Sequence, residues 1–127
     1  MMTSFPYDTA YDPAMPVCEV TLIGGDTDER VTLQGIVDTG ADATLVPLAH
    51  LQAIGARRVF ETGLRSQWGE RRTVFLYLVD VSLGAHTVSG VYVVGDDLGD
   101  ELVIGRDILN RLRLSLDGPA SQLHLLA

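Results

Sequence analysis

Lysine is absent from this 127-residue chain: all nine basic residues are arginines, set against seventeen Asp and Glu for a formal charge of −8. Nucleic-acid binders usually carry basic stripes, so an acidic chain of this kind argues against a phosphate-binding surface. Cysteine occurs once, as Cys18. It can close no internal disulfide and has no CxxC partner, which fits a reducing compartment and an inert, half-buried thiol. No run approaches the ~20 apolar residues of a spanning helix, and the opening MMTSFPYDTAYDPAMP has neither a basic n-region nor an apolar h-region. The expectation is a soluble, cytoplasmic protein with no membrane partner. His50, His86 and His124 share no ligand spacing, so no metal is expected. The cluster Asp96, Asp97, Asp100 and Glu101 lacks an EF-hand pattern and reads as a solvated loop. What is present, 46% hydrophobic and 20% charged residues, suits one core and leaves no room for a second globular domain.

Residues 1–16 hold three prolines and two tyrosines without a periodic pattern, so a poorly ordered tail is expected there and a domain over 17–127. From Val17 the signal is mostly β. VCEVTLIG and RVTLQGIV, joined by the polar GDTDE, read as a hairpin. PLAHLQAIG reads as a short helix with Pro47 in its first turn and Gly55 as its stop. RRVFETG and TVFLYLVDVSLG read as strands around the polar link LRSQWGER, and HTVSGVYVVG as another strand with Gly90 at a bulge or close approach. RDILNRL reads as a second short helix, and RLSLDGPASQLHLL as a closing hairpin. The fold class is therefore all-β with two small helices. LQGIVDTGADATLVPLAHLQAIG and VSGVYVVGDDLGDELVIGRDILNRL also repeat one order of elements, a pattern that suggests internal duplication.

GIVDTGADATLVP places Asp38 and Asp42 at the end of an apolar run. An aspartate there is costly unless it is hydrogen-bonded, paired, or kept for chemistry. Asp-Thr-Gly alone is also good turn chemistry after any strand. VDTGAD, Val37 to Asp42, followed about sixty residues later by VIGRDIL, Val103 to Leu109, resembles the retropepsin-like aspartic proteases, which include retroviral proteases and their cellular and bacterial relatives. The resemblance covers most of Val17 to Ala127. It implies a retropepsin-like acid protease fold of closed, folded β-sheets, working as a homodimer with a shared active site.

Hydrolysis of a peptide without a metal or covalent nucleophile needs one carboxylate to take a proton from water and one carboxylic acid to polarise the carbonyl. Two aspartates sharing a proton supply both, because like charges at close range do not both ionise easily. The chain has a single D-T-G, so the second aspartate must come from a second copy at a twofold axis. By resemblance, Asp38 is catalytic, Thr39 hydrogen-bonds across the dimer beneath the dyad, and Gly40 lets backbone approach substrate. Ala41 keeps the loop small, and Asp42 contacts substrate and is held by Arg106 through a charge-assisted, potentially bidentate pair. Gly105 permits close packing of the Arg106 helix on that loop, and Asp107 is the solvated start of a helix. Trp68 and Gly69 fall where the family places a flap over substrate, with Arg65, Arg71 and Arg72 around them. The long C-terminal hairpin resembles that of cellular and bacterial relatives, where it commonly builds the dimer sheet.

The expected function is aspartic endopeptidase, with no cofactor, and with a second copy and a polypeptide substrate as partners. Two other classes are set against it. A non-catalytic peptide-binding or dimerisation module on the same fold would have no evident use for paired aspartates. Phosphoryl transfer on an Asp-x-Gly loop needs a far longer chain and a glycine-rich phosphate cradle.

Overall fold

The computed structural model describes residues 2–65 and 69–127. The two long apolar runs after Val17 form β2 (Val17–Gly24) and β3 (Arg30–Val37), antiparallel as the alternating pattern requires. They are followed by β4 (Leu45–Pro47), α1 (Leu48–Ala53), β5 (Arg57–Arg65), β6 (Arg71–Leu83), β7 (His86–Asp96), β8 (Leu102–Ile104) and α2 (Arg106–Leu109). One sheet takes the order β2-β3-β8-β4-β7-β6-β5, and β2 also pairs with β6. Six strands thus close into a barrel, with β5 attached outside on β6. Closure removes the free edges that an open sheet would expose.

Two glycines at positive φ shape the barrel wall and the helix beside it. Opposite Asp80 the register of β6 on β7 shifts by one residue, and Gly90 takes φ +66 while its N–H bonds the Asp80 carboxylate at 2.9 Å. This is a bulge at the glycine that the sequence singled out, and it adds bend and twist to the barrel wall. Gly55, with φ +64, ends α1 where an L side chain would be strained. Pro47 is the N-cap of α1 and the last residue of β4, one place ahead of the first turn.

The barrel interior is filled by Val20, Leu22, Val46, Val79, Val81, Val93 and Ile104, with Leu51 of α1 and Ile108 of α2 closing it, all at most 1% exposed. Each such side chain contributes about 1.5–3 kcal/mol by leaving water. Cys18 lies in the same core at 3% exposure, so it is fully buried where half-burial was expected.

The repeated order of elements is a spatial repeat. β3 runs parallel to β8 (Val37 beside Ile104), and β7 runs parallel to β4 (Asp96 beside Pro47). β8 and β4 meet antiparallel at Leu45 and Val103. Each half lends its short strand to the long strand of the other, which places the loop after β3 and the loop after β7 in equivalent settings.

The N-terminal stretch departs from the expectation of a poorly ordered tail. Met2–Pro6 form β1, paired antiparallel to β10 (Gln122–Leu126), which also pairs with β9 (Arg113–Asp117). Farther on, Asp8 bridges Met15, Gln34 donates to Asp8 at 2.7 Å, Tyr11 donates to Glu101, and Val37 N–H donates to the Pro16 carbonyl at 3.1 Å. All these pairs except Asp8 with Met15 are distant in sequence, which is why no local pattern announces the order. The closing hairpin forms as expected, with Leu123 and Leu125 buried, but β10 is already flanked on both sides. Only β1 and β9 remain as edges of that three-stranded sheet.

Candidate active site

β3 delivers Asp38 at the end of the barrel, beside the end of β8. Asp38 N–H donates to the Ile104 carbonyl at 3.1 Å, continuing the parallel ladder by one bond. The chain then turns: Gly40 N–H donates to the Asp38 Oδ1 at 2.9 Å, and Ala41 N–H to the Asp38 carbonyl at 3.2 Å. Turn and carboxylate presentation are one structure here, because the aspartate that ends the strand also shapes its turn. Asp38, Thr39 and Gly40 are all exposed. No cation pairs with Asp38 among the described residues.

The loop is clamped from the other half of the molecule. Arg106 N–H donates to the Ala41 carbonyl at 2.9 Å, and its guanidinium uses both arms: Nη1 donates to the Thr39 carbonyl at 2.7 Å and Nη2 to the Asp42 carboxylate. Bidentate recognition of Asp42 is therefore replaced by a bridge between Asp42 and the backbone of Thr39. Asp42 is 90% exposed and Arg106 43% exposed, so their ion pair is solvated and weak. The bond to the Thr39 carbonyl is the part that fixes the turn.

Gly105, the N-cap of α2, sits against Ala43. A Cβ on Gly105 would lie 2.6 Å from both C and O of Ala43, so only glycine lets α2 approach the loop this closely. Gly40 has a milder constraint, since a Cβ there would lie 3.2 Å from the Asp38 Oδ1.

Beneath the loop is a polar knot that the sequence reading missed. Thr44, 1% exposed, donates its hydroxyl to Asp107 Oδ1 at 2.7 Å and its N–H to Asp107 Oδ2 at 3.1 Å. The same hydroxyl accepts the Gly105 N–H at 3.1 Å, and the Thr44 carbonyl accepts the Val94 N–H at 2.9 Å. Asp107 also accepts from Ile108 N–H. Asp107 is thus a structural carboxylate tying α2 to the loop, and its assignment as a solvated helix start is corrected. The available signal was a lone polar residue in the apolar ATLVP, but its partner lies sixty-three residues away.

The expected flap maps onto the β5–β6 hairpin, whose strands pair out to Arg65 and Arg71. Trp68 lies outside the described residues. Gly69 is exposed at φ +84, a conformation that favours glycine, and no hydrogen bond joins it to the 38–42 loop among the described residues. The acidic loop also differs from a fully solvated one. Asp96 has a side chain only 11% exposed, accepts from Leu98 N–H at 3.0 Å, and pairs with Arg72. Burial would raise its pKa, but bonds from the Leu98 and Gly99 amides and from Arg72 outweigh that and hold it below the usual value.

The fold is similar to that of several solved proteins. A retropepsin-like aspartic protease from Rickettsia conorii matches with a TM-score of 0.64 at 13% identity, covering 98% of this chain and 90% of that one. EIAV protease, solved with the inhibitor HBY-793, matches at 0.61 with 22% identity over 84% of this chain and 93% of its own. The retroviral protease-like domain of Ddi1 from Leishmania major matches at 0.51 with 20% identity over 81% of each. No curated protein sequence matches significantly. At these identities the likeness is one of fold, but the sequence model of the retroviral aspartyl protease family matches residues 13–117, a span that holds both the Asp38 loop and the Arg106 clamp. The chain therefore belongs to the retroviral aspartyl protease family.

Proposed function

We propose that this chain is a homodimeric aspartic endopeptidase in which each subunit contributes Asp38 to one shared dyad. The observation that carries the proposal is the exposed Asp38 carboxylate at the end of an apolar barrel strand, held in a rigid loop with no cation beside it among the described residues. A lone exposed carboxylate has little catalytic power. Two of them across a twofold axis share one proton, because the first charge disfavours the second.

The ionised member takes a proton from a water held between the two, and that water attacks the scissile carbonyl. The protonated member hydrogen-bonds the carbonyl oxygen as negative charge develops there. In the second half the tetrahedral intermediate collapses, the leaving nitrogen receives a proton from the dyad, and the C–N bond breaks. Thr39 and Gly40 position the dyad, and Ala41 and Asp42 border the substrate strand. Gly105 and Arg106 hold the loop, with Thr44 and Asp107 fixing it from below. The cytoplasm suits a chain whose only cysteine is a buried thiol.

The test is cleavage of an unbiased peptide library by wild type and Asp38→Asn, alone and mixed. Asp38→Asn keeps size and most hydrogen bonding, so it should dimerise without cleaving. An equal mixture should leave about one quarter of the dimers with two aspartates and halve the activity per wild-type chain. Activity per chain should also fall on dilution. Constant activity per wild-type chain in both experiments would refute the shared dyad, and absence of cleavage at any concentration would leave a peptide-binding module.

A further inference from the structure

The internal repeat places a second aspartate in the position of Asp38. Asp96 ends β7 as Asp38 follows β3, and the two form the same turn: Gly40 N–H donates to the Asp38 Oδ1 at 2.9 Å and Leu98 N–H to the Asp96 Oδ1 at 3.0 Å. What differs is the company. Asp38 has no cation among the described residues, whereas Asp96 faces Arg72 of β6, whose Nη2 lies 3.4 Å from Asp96 Oδ1 and whose Nη1 donates to Asp97 Oδ1 at 3.1 Å.

Arg72 is the second residue of β6, on the return strand of the β5–β6 hairpin, and pairs across that hairpin with Leu64. A cavity of about 470 Å³ is lined by Leu64, Glu70, Arg71 and Arg72 of the hairpin and by Leu98 of the loop. Leu98 is the most exposed of the large hydrophobic residues among the described residues, at 79%, and the turn at Asp96 holds it opposite the hairpin. A Cβ on Gly99 would come within 2.5 Å of Asp96 Oδ2, so the loop has little freedom to rearrange around that carboxylate. β6 and β7 pair as far as Phe75 and Gly95, and beyond that point one guanidinium joins the two walls of the cavity.

We propose that Arg72 is a positioning residue, an ion-pair clasp on Asp96 and Asp97 that holds the β5–β6 hairpin down against the 96–101 loop and sets the opening between Leu64 and Leu98. The proposal rests on the protease reading only for its consequence in catalysis. There, admission of a peptide requires the two walls to part, so the clasp governs substrate capture and leaves the chemistry at Asp38 unchanged. Asp97 is 64% exposed and Arg72 32% exposed, so salt screens the Asp97 arm more than the arm to the shielded Asp96.

The experiment compares wild type, Arg72→Gln, Arg72→Lys and the charge exchange Arg72→Asp/Asp97→Arg by amide hydrogen exchange, which needs no activity, and by peptide cleavage. In Arg72→Gln, exchange at Leu98, Gly99 and the outer β5–β6 ladder should rise about fivefold while amides of the barrel core are unchanged. KM should move severalfold with kcat nearly constant, and added salt should shift wild type toward the variant but leave the variant unaffected. Arg72→Lys, which can reach only one carboxylate at a time, should be intermediate, and the charge exchange should recover part of the protection. Exchange in Arg72→Gln equal to wild type at low salt, with its core amides intact, overturns the clasp. Should the exchange pattern appear as expected in a chain that cleaves no peptide, the clasp stands and the protease reading falls.

Discussion

Replacing Thr44 by valine removes one oxygen and changes almost nothing else, because both side chains are β-branched and of similar shape. The hydroxyl donates to a carboxylate at 2.7 Å and accepts the Gly105 N–H at 3.1 Å, in a residue 1% exposed. A hydrogen bond to a charged group is worth about 1.5–3 kcal/mol, and stranding a buried N–H costs about 1–3 kcal/mol. Some relaxation toward water is open to Asp107 but not to Gly105, which is packed on Ala43. A net loss of about 3 kcal/mol is expected, a large share of the ~5–15 kcal/mol that holds a domain together. For a chain of this size that corresponds to a fall in Tm of roughly 10 °C. Urea unfolding measures it directly, with the midpoint shifting at constant slope. Asp107→Ala should cost a similar amount, and the double variant should be less destabilised than the sum by about 1 kcal/mol or more, since the second substitution removes a group already without its partner. A Thr44→Val loss below about 0.5 kcal/mol, or strict additivity with Asp107→Ala, would refute the idea that this knot ties α2 to the Asp38 loop.

Gly105→Ala should destabilise by about 2–3 kcal/mol, because its Cβ meets the Ala43 backbone, which cannot swing aside as a side chain could; a melting temperature equal to wild type would contradict this contact. Asp42→Asn should change the stability of the chain by no more than about 0.5 kcal/mol, since Asp42 is 90% exposed, while Arg106→Gln should cost about 1 kcal/mol through the bond to the Thr39 carbonyl. Equal losses on urea titration would show that the ion pair, and not the carbonyl, is what Arg106 contributes. Cys18 is pushed up to about 12 by burial, from an ordinary 9.0. The fold favours its neutral thiol, so its contribution to stability is complete below pH 9 and is lost as pH rises from there toward 12. At pH 8 the native chain should resist iodoacetamide and be labelled only as fast as it unfolds, and rapid labelling of folded protein would place the thiol elsewhere.

The strands β2, β3, β5, β6, β7, β9 and β10, the two short helices and the Asp38 loop could be read from the sequence because their causes are local, whereas the three-residue strands β4 and β8 read only as apolar stretches. Period-two alternation buries one face of β2, Gly90 and Gly55 occupy positions with positive φ, and Asp-Thr-Gly makes its turn from its own atoms. The motif also declared a likeness, since VDTGAD and VIGRD carry their chemistry in adjacent residues. Tertiary structure alone decided what is joined across long separations. Closure of the barrel through β2 and β6, the seating of β1 on β10, and the meeting of Thr44 with Asp107 each depend on pairings that leave no periodic trace in either segment. The same holds for the sorting of the carboxylates. In sequence Asp38, Asp42, Asp96 and Asp107 are four aspartates near turns. Folding leaves Asp38 exposed without a cation among the described residues, solvates Asp42, clasps Asp96 with Arg72 and binds Asp107 to Thr44. A side chain's charge is written in the sequence, but the work that charge can do depends on solvent exposure and on partners, and both are properties of the assembled fold.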